Sequence, residues 1–511
     1  MECKVTNDSI LVYETVFDST AEQPVDVDFT LPDYCPDIGK ILKCRAKPVV
    51  TAKECSGETI KIEGMTYLEV VYQEGRDKNV RCCRYEQPFS MTVPTGGCGD
   101  GAKAAVQPRV DYINCRATSQ RKVDIHGAFT VHIRIAVPKR YELLTQAEGA
   151  GVKTRMQSAA IAQYAGRAQN SFVVSEALEL AQGKPPISSI VRSGADINVL
   201  ECKPIANKLI VKGEAVLEVV YCTDMSGRLE AMEYVIPFNQ FLDLPGLDDT
   251  CVLDTAIETG AVNISLRTDS DGEYRRLSAD IHATTDIKAY RMLEMSVIRD
   301  AYSTECELNV ERRYVGMERF AAQTGGRCVC GGVLETTREI AEVLDAWCEV
   351  TSASGESSGK SVALKGNVLV CAIARLDDGD CEYIEKTYPF ESDVSLPTEC
   401  ENARVSVRAG VKGCTCTLSG TSKIDMRAEL DCAVSVYEQE QLGCVTSIKP
   451  DETRRKEADK SPAVVLYYAD SGEDLWSIAR EHNASVEDIM SDNGLTEEVL
   501  EENRLLLISV R

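Results

Sequence analysis

The sequence predicts a mainly β protein in which three tandem β-sandwich-like repeats precede a small α+β domain of βααβ order. One block of strand, glycine and strand recurs at a step of about 150 residues, which is typical of repeated domains. The repeated segments are rich in Val, Ile, Tyr and Thr and tend to alternate in polarity, as half-buried strands do. The last 49 residues have a different pattern, with two amphipathic stretches between two apolar ones.

A glycine inside a strand pattern identifies each copy of the repeat, and a Pro-Phe dipeptide follows it. The glycines stand 149 and 153 residues apart: Gly64, Gly213 and Gly366. The dipeptides are Pro88-Phe89, Pro237-Phe238 and Pro389-Phe390. Glycine within a strand is typical of a bulge or a close backbone approach. We expect antiparallel sandwich repeats over residues 25–145, 172–295 and 326–440.

The segments between these blocks are less regular. The stretch PDIGKIL at 36–42 predicts one short helix per repeat, and weakly patterned stretches near 146–170 and 295–328 separate the repeats. A hydrophilic, charge-mixed stretch predicts a linker over residues 445–462. Gly355–Ser361 is expected to be a hairpin turn, because it is one residue short of a phosphate-binding loop and leads into a strand.

The C-terminal domain, residues 463–511, is predicted to fold as strand, helix, helix and strand. Its strands are expected at Val464–Tyr468 and Leu505–Ser509. A Ser-x-x-acid pattern stands at the start of each predicted helix and fits a capping box, which satisfies free backbone amides. The two patterns are Ser471 with Asp474 and Ser485 with Asp488.

Composition and charge exclude several classes of function. The formal net charge of −25 argues against nucleic acid and anionic lipid as partners, because both need a basic face. The sequence shows no signal peptide and no apolar stretch near the roughly 20 residues of a spanning helix. We therefore expect a cytoplasmic protein without a transmembrane segment. No Ser/His/Asp or Cys/His motif has a recognisable local context, so we expect no enzyme.

Cysteines are numerous, with 22 in the chain beside only four histidines. Two Cys-x-Cys pairs occur, Cys328/Cys330 and Cys414/Cys416, but no Cys-x-x-Cys. This composition favours thiols that act as small apolar groups over a metal site or a cofactor. Oxidative cross-linking in a late assembly is the second alternative.

The repeats resemble the SPOCS domain of spore-forming Firmicutes, over about residues 25–440. The resemblance rests on the leads FTLPDYCPDIGKIL and LELAQGKPPISSIV, the strand–glycine–strand block and the Pro-Phe dipeptide. The third copy departs most, because Arg338-Glu339-Ile340 replaces the Pro-Pro-Ile lead.

The C-terminal domain resembles a LysM module, through Ser471–Ala479, Asn493–Leu495 and Leu505–Ile508. The resemblance implies a shallow groove for N-acetylglucosamine glycans, between the loop before the first helix and the loop after the second. Its residues here would be Ser471, Gly472, Glu473, Asp474, Leu475, Asn493, Gly494 and Leu495. Asp474 stands where the family usually has a small hydroxyl residue, and residues 462–511 carry a net charge of −8. Because carboxylates near a sugar add desolvation cost, a protein partner is an equal alternative.

The whole architecture is similar to that of clostridial spore-coat morphogenetic proteins that bind the stage IV sporulation ATPase, stage IV sporulation protein A. The resemblance implies a scaffold in the mother-cell cytoplasm that is recruited to the forespore surface and tethers the coat basement-layer ATPase. Linked domains would do this by multivalent protein contacts, with self-association of the repeats. The alternative is peptidoglycan binding through the LysM domain.

Overall fold

The computed structural model describes residues 3–223, 228–401, 403–456 and 464–509. Its large β-rich part contains three units of six strands each. The first unit comprises β1 (Lys4–Thr30), β2 (Ile38–Ser56), β3 (Thr59–Glu74), β4 (Val80–Pro94), β5 (Lys103–Ser119) and β6 (Lys122–Glu148). The second comprises β7 (Val152–Glu179), β8 (Ile187–Ile205), β9 (Lys208–Thr223), β10 (Leu229–Asp243), β11 (Val252–Thr268) and β12 (Tyr274–Ser303). The third comprises β13 (Cys306–Glu335), β14 (Ile340–Ser358), β15 (Ser361–Leu376), β16 (Cys381–Ser395), β17 (Ala403–Ser419) and β18 (Lys423–Arg455).

Each unit, called a repeat below, is built from two antiparallel three-stranded sheets. In repeat 1 the sheet orders are β1-β6-β5 and β2-β3-β4, and repeats 2 and 3 have the same orders in their own strands. The apolar faces of the two sheets pack together and form one buried core per repeat. The predicted mainly β fold with three sandwich-like repeats is confirmed, and repeat 3 has the same strand order as the first two.

The predicted helix in each repeat is wrong, because β2, β8 and β14 begin there as strands. The reason is visible in the pairing of β2 with β3. The register shifts between Ile38 and Lys40 and again between Ile41 and Lys43, so the two bulges break the alternation that identifies a strand. Backbone pairing with β3 supplies the hydrogen bonds that a helix would have made internally.

The stretches expected to separate the repeats are also strands. β6 runs to Glu148 and β7 starts at Val152, while β12 ends at Ser303 and β13 starts at Cys306. β18 continues through Arg455, so the first part of the linker expected over 445–462 belongs to the sheet. The rest of that expected linker, apart from Lys456, lies outside the described residues.

These long strands bring the three repeats together. Buried apolar side chains from all three repeats meet in one cluster: Ile10, Tyr141, Leu143, Ala159, Ile161, Val297, Val315, Met317, Leu442 and Cys444. A neighbouring cluster includes the equivalent residues Leu144, Ile298 and Val445. Burial of this apolar surface favours a closed group of three repeats over a string of separate domains.

The sheets with the shorter strands are β2-β3-β4 and its counterparts in repeats 2 and 3. They meet in a second cluster that again takes residues from each repeat, including Val71, Val220 and Ile373. Trp347 of repeat 3 belongs to this cluster, and two guanidinium groups lie near its ring. Arg45 of repeat 1 is 5.7 Å from the ring centroid and Arg192 of repeat 2 is 5.3 Å from it. Cation–π contacts of this kind add to the apolar packing where the repeats converge.

Candidate functional site

The C-terminal domain forms strand β19 (Val464–Ala469), helices α1 (Leu475–Glu481) and α2 (Val486–Asn493), and strand β20 (Arg504–Ser509). β19 and β20 pair antiparallel, and the helices pack on one face of this two-stranded sheet. Leu475, Ile489, Leu506 and Ile508 are fully buried between them. The βααβ order predicted from the sequence is therefore present.

The two predicted capping boxes differ in outcome. Ser485 caps α2, because its hydroxyl accepts a hydrogen bond from the Asp488 amide at 3.0 Å. Asp474 itself caps α1 and accepts from the Trp476 amide at 3.3 Å. The pairing of Ser471 with Asp474 is wrong, since the Ser471 hydroxyl instead donates to the Glu501 carbonyl at 2.7 Å. The pattern predicts that Ser471 caps α1, but α1 begins at Leu475, so the residue in the cap position is Asp474.

The first group of predicted groove residues, Ser471 to Leu475, is bonded to the segment before β20. The Gly472 amide donates to the Leu500 carbonyl at 2.7 Å, and the Leu475 amide donates to the Glu498 carbonyl at 2.8 Å. The Leu500 amide donates back to the Glu473 carbonyl at 3.0 Å. The Glu473 carboxylate accepts from the Asp470 amide at 3.0 Å, so hydrogen bonds within the domain hold this loop.

The second group, Asn493 to Leu495, lies at the end of α2. The Asn493 side chain bridges to β20, donating to the Leu507 carbonyl and accepting from the Leu507 amide, both at 2.7 Å. Gly494 adopts a left-handed φ of 62°, which ends the helix. The Leu495 amide donates to the Met490 carbonyl at 2.9 Å. Asn493 therefore positions β20. The two groups of predicted groove residues are held by different segments: Ser471 to Leu475 by the residues before β20, and Asn493 to Leu495 by β20 and α2.

The helices of this domain dock on the end of the β7–β12 pair of repeat 2. The Tyr302 ring packs edge-on against Trp476, with ring centroids 4.8 Å apart, and its hydroxyl donates to the Ala484 carbonyl at 2.8 Å. The Trp476 indole N–H donates to Asp300 at 3.0 Å. Trp476 is only 7% exposed and belongs to the apolar core of its own domain, which Tyr302 of repeat 2 joins at this junction.

Ion pairs surround this junction. Arg155 of β7 lies 2.5 Å from Asp474 and 3.5 Å from Glu498, and Lys153 lies 3.6 Å from Glu487. Basic residues of repeat 2 thus neutralise part of an acidic domain and contact Asp474, one of the predicted groove residues. No local pattern identifies Arg155 or Tyr302 as docking residues, because both belong to stretches without clear alternation.

The opposite face of the β19–β20 sheet is apolar and open to solvent. Leu466 is 65% exposed and Tyr468 is 64% exposed, and they pair across the strands with Leu507 and Leu505. Val464 extends this surface, which we call the sheet face: Val464, Leu466, Tyr468, Leu505 and Leu507. Both strands are apolar on both faces, which is the sequence signal that could have identified the sheet face.

A cavity of about 1180 Å³ lies where the three repeats meet beside Trp347. Its charged lining is joined in pairs that cross from one repeat to another. Lys43 lies 2.5 Å from Glu385, and Arg192 lies 2.8 Å from Asp345. Arg45 lies 2.9 Å from Glu349. These contacts fasten repeat 1 to repeat 3 and repeat 2 to repeat 3.

Neither helix in the described part of the chain has the length and apolar character that crossing a membrane requires.

Comparison with protein families gives two matches. Residues 37–118 and 186–265 match the SipL, SPOCS domain, and residues 467–509 match the LysM domain. The SPOCS matches cover nearly all of β2 to β5 and of β8 to β11, and they omit the long strands that bring the repeats together. No curated protein matches, and no solved structure matches. The chain is therefore a SPOCS-domain repeat protein with a C-terminal LysM domain, and its SPOCS domains indicate a sporulation protein.

Proposed function

We propose that this protein is a non-catalytic scaffold of spore-coat assembly, which tethers a coat basement-layer ATPase of the stage IV sporulation protein A type to the forespore surface. The observation that carries the proposal is the sheet face. The LysM domain is anchored to repeat 2 through its helices, so its apolar strands point away from the body of the protein. Exposed apolar residues in a contiguous patch are typical of a protein interface.

The sheet face fits a partner with an apolar centre and a basic rim. The LysM domain has a net charge of −8 over residues 462–511, so two copies of it would repel each other. A basic partner surface would instead be attracted. The helix surface is less suited to this contact, because α1 and Ala484, just before α2, already contact repeat 2.

The body of three repeats supports tethering in a second way. Because the repeats are joined by buried clusters and ion pairs, they hold any binding surfaces at fixed separations. Fixed separation raises the effective concentration of each contact once another has formed, so that weak single contacts give stable recruitment.

The test measures binding of the full-length protein to the purified coat ATPase. Leu466→Asp and Tyr468→Asp should each weaken binding about tenfold or more, equivalent to about 1.4 kcal/mol. Val499→Asp is the matched control, because Val499 is 49% exposed in the same domain but lies outside the sheet face. Equal binding by all three variants and the wild-type protein would reject the sheet face as the contact.

Glycan binding through the LysM domain is the second candidate, and the family match itself favours it. The full-length protein would then co-sediment with purified peptidoglycan, and Leu466→Asp would leave the pelleted fraction unchanged. Loss of ATPase binding in Leu466→Asp without any co-sedimentation of the wild-type protein would favour the scaffold.

A further inference from the structure

Two cysteine thiols meet across the sheets of repeat 3. Cys348 lies on β14 and Cys414 on β17, which belong to different sheets of the sandwich. Their Sγ atoms are 3.1 Å apart. A closing movement of about 1 Å would reach the roughly 2.05 Å of a disulfide bond.

Repeat 1 has a thiol pair between the corresponding two strands, shifted by two residues along each strand. Cys44 on β2 and Cys115 on β5 form a hydrogen bond between their thiols. Repeat 2 lacks such a pair, because Ser193 and Ile264 occupy the positions of Cys44 and Cys115 in the strand registers. Two of the three sandwiches thus place thiols together between the same two strands, and the third provides a natural comparison.

The central cavity gives small molecules a route to these thiols. Cys348 and Cys414 both line the cavity of about 1180 Å³, and so does Cys44. Buried thiols in a sealed core would be chemically inert, whereas thiols that line a cavity can meet a dissolved reagent.

We propose that Cys348 and Cys414 form a redox site that closes to a disulfide on reaction with a low-molecular-weight disulfide, with Cys44 and Cys115 as its counterpart in repeat 1. Closure would join β14 to β17, and β2 to β5, by a covalent bond between the two sheets. It would convert a sandwich held by apolar packing into one that is cross-linked within the repeat.

The exchange is balanced in two steps. The Cys414 thiolate attacks one sulfur of the reagent RSSR, its S–S bond breaks, and one RS⁻ leaves and takes up the proton that Cys414 lost. Cys348 then loses its proton and attacks Cys414 Sγ, which breaks the mixed disulfide and releases the second RSH. Two thiols are oxidised and one disulfide is reduced.

The environment selects Cys414 as the attacking thiol. The hydrogen bond from Cys348 lowers the pKa of Cys414, although burial opposes it. The same hydrogen bond, followed by burial, raises the pKa of Cys348. In repeat 1 the hydrogen bond from Cys44 likewise lowers the pKa of Cys115. A thiolate held by a neighbouring S–H group attacks readily, and that neighbour is then in place to resolve the mixed disulfide.

The experiment incubates reduced, folded full-length protein with oxidised glutathione, blocks the remaining thiols and maps disulfides by mass spectrometry of a non-reducing digest. We expect a peptide pair joined through Cys348 and Cys414. Cys348→Ser should leave Cys414 as a stable glutathione adduct, because no resolving thiol remains. Cys416→Ser, an exposed position two residues from Cys414 on the same strand, should leave the Cys348–Cys414 bond unchanged.

The proposal is overturned if Cys348 and Cys414 are both recovered as blocked thiols, or if Cys414 pairs with Cys416. The wild-type map decides the matter even if a cysteine variant folds poorly.

Discussion

The ring of Phe89 lies over Gly64 on the neighbouring strand, so that a Cβ placed on Gly64 would come within 2.4 Å of the ring. The carbonyl oxygen of Val49 on β2 approaches the same point to 2.3 Å. Gly213 with Phe238 and Gly366 with Phe390 repeat this arrangement. The recurrent glycine and the recurrent Pro-Phe dipeptide are therefore two parts of one packing unit.

Replacing this glycine should destabilise the protein. In Gly213→Ala, the new methyl group would meet the Asn198 carbonyl at 2.4 Å and the Phe238 ring at 2.5 Å. Forcing an added methyl group into a packed site costs about 1–3 kcal/mol. We expect a lower midpoint in chemical denaturation. Gly194→Ala is the matched control in the same repeat, because its added Cβ meets nothing within 4 Å. Equal midpoints for the two variants would contradict the packing argument.

Acid should weaken the contact between repeats 1 and 3 through Glu318. Arg404 of the same repeat lies 2.6 Å from its carboxylate, and Arg134 of repeat 1 lies 3.1 Å from it. Burial alone would raise the pKa of Glu318, but the hydrogen bond and charge of Arg404, with the charge of Arg134, lower it below its usual 4.5. A lowered pKa means that the stabilisation is present above about pH 4.5 and is lost as the pH falls through the folded-state value.

The variant Glu318→Gln should therefore flatten the dependence of unfolding free energy on pH below about 5, and it should be less stable than the wild type at pH 7. Loss of a half-buried charge that satisfies two arginines costs about 1–3 kcal/mol. Glu335→Gln removes an exposed pair with Lys423 and should change little. Parallel pH profiles for wild type and Glu318→Gln would show that this carboxylate does not carry the effect.

Docking of the LysM domain should depend on Asp300. Its carboxylate accepts from the Trp476 indole at 3.0 Å and from Arg480 at 3.4 Å, and it also pairs with Arg312. In Asp300→Ala the buried indole N–H loses its partner, at a cost of about 1–3 kcal/mol. We expect faster hydrogen exchange in α1 and at the end of β12, measured on the full-length protein. The control is Asp271→Ala in an exposed turn; unchanged exchange in Asp300→Ala would argue against a docked LysM domain.

Repeat 3 departs from the other two repeats because it lacks one tyrosine–carbonyl hydrogen bond. The Tyr72 hydroxyl donates to the Pro36 carbonyl at 3.0 Å, and the Tyr221 hydroxyl donates to the Pro185 carbonyl at 3.1 Å. Repeat 3 has Ala374 and Arg338 at these positions, so the tyrosine and the proline are absent together. The strand order survives, because the sandwich core and the glycine–phenylalanine unit remain.

The sequence pattern by itself determined the three β repeats, their glycine and Pro-Phe positions and the βααβ order of the last domain, because these follow from periodicity within single elements and from the recurrence of one block about every 150 residues. The pattern wrongly predicted a helix around Ile38 to Lys43, because two bulges in β2 remove the alternation that is typical of a strand. The tertiary structure alone decided that the repeats pack together in shared clusters, that Lys43 meets Glu385, that Cys348 meets Cys414 and that Trp476 docks on Tyr302. Those contacts join residues 66 to 342 positions apart, and the side chains at such separations are brought together by packing of whole sheets, which no local period encodes.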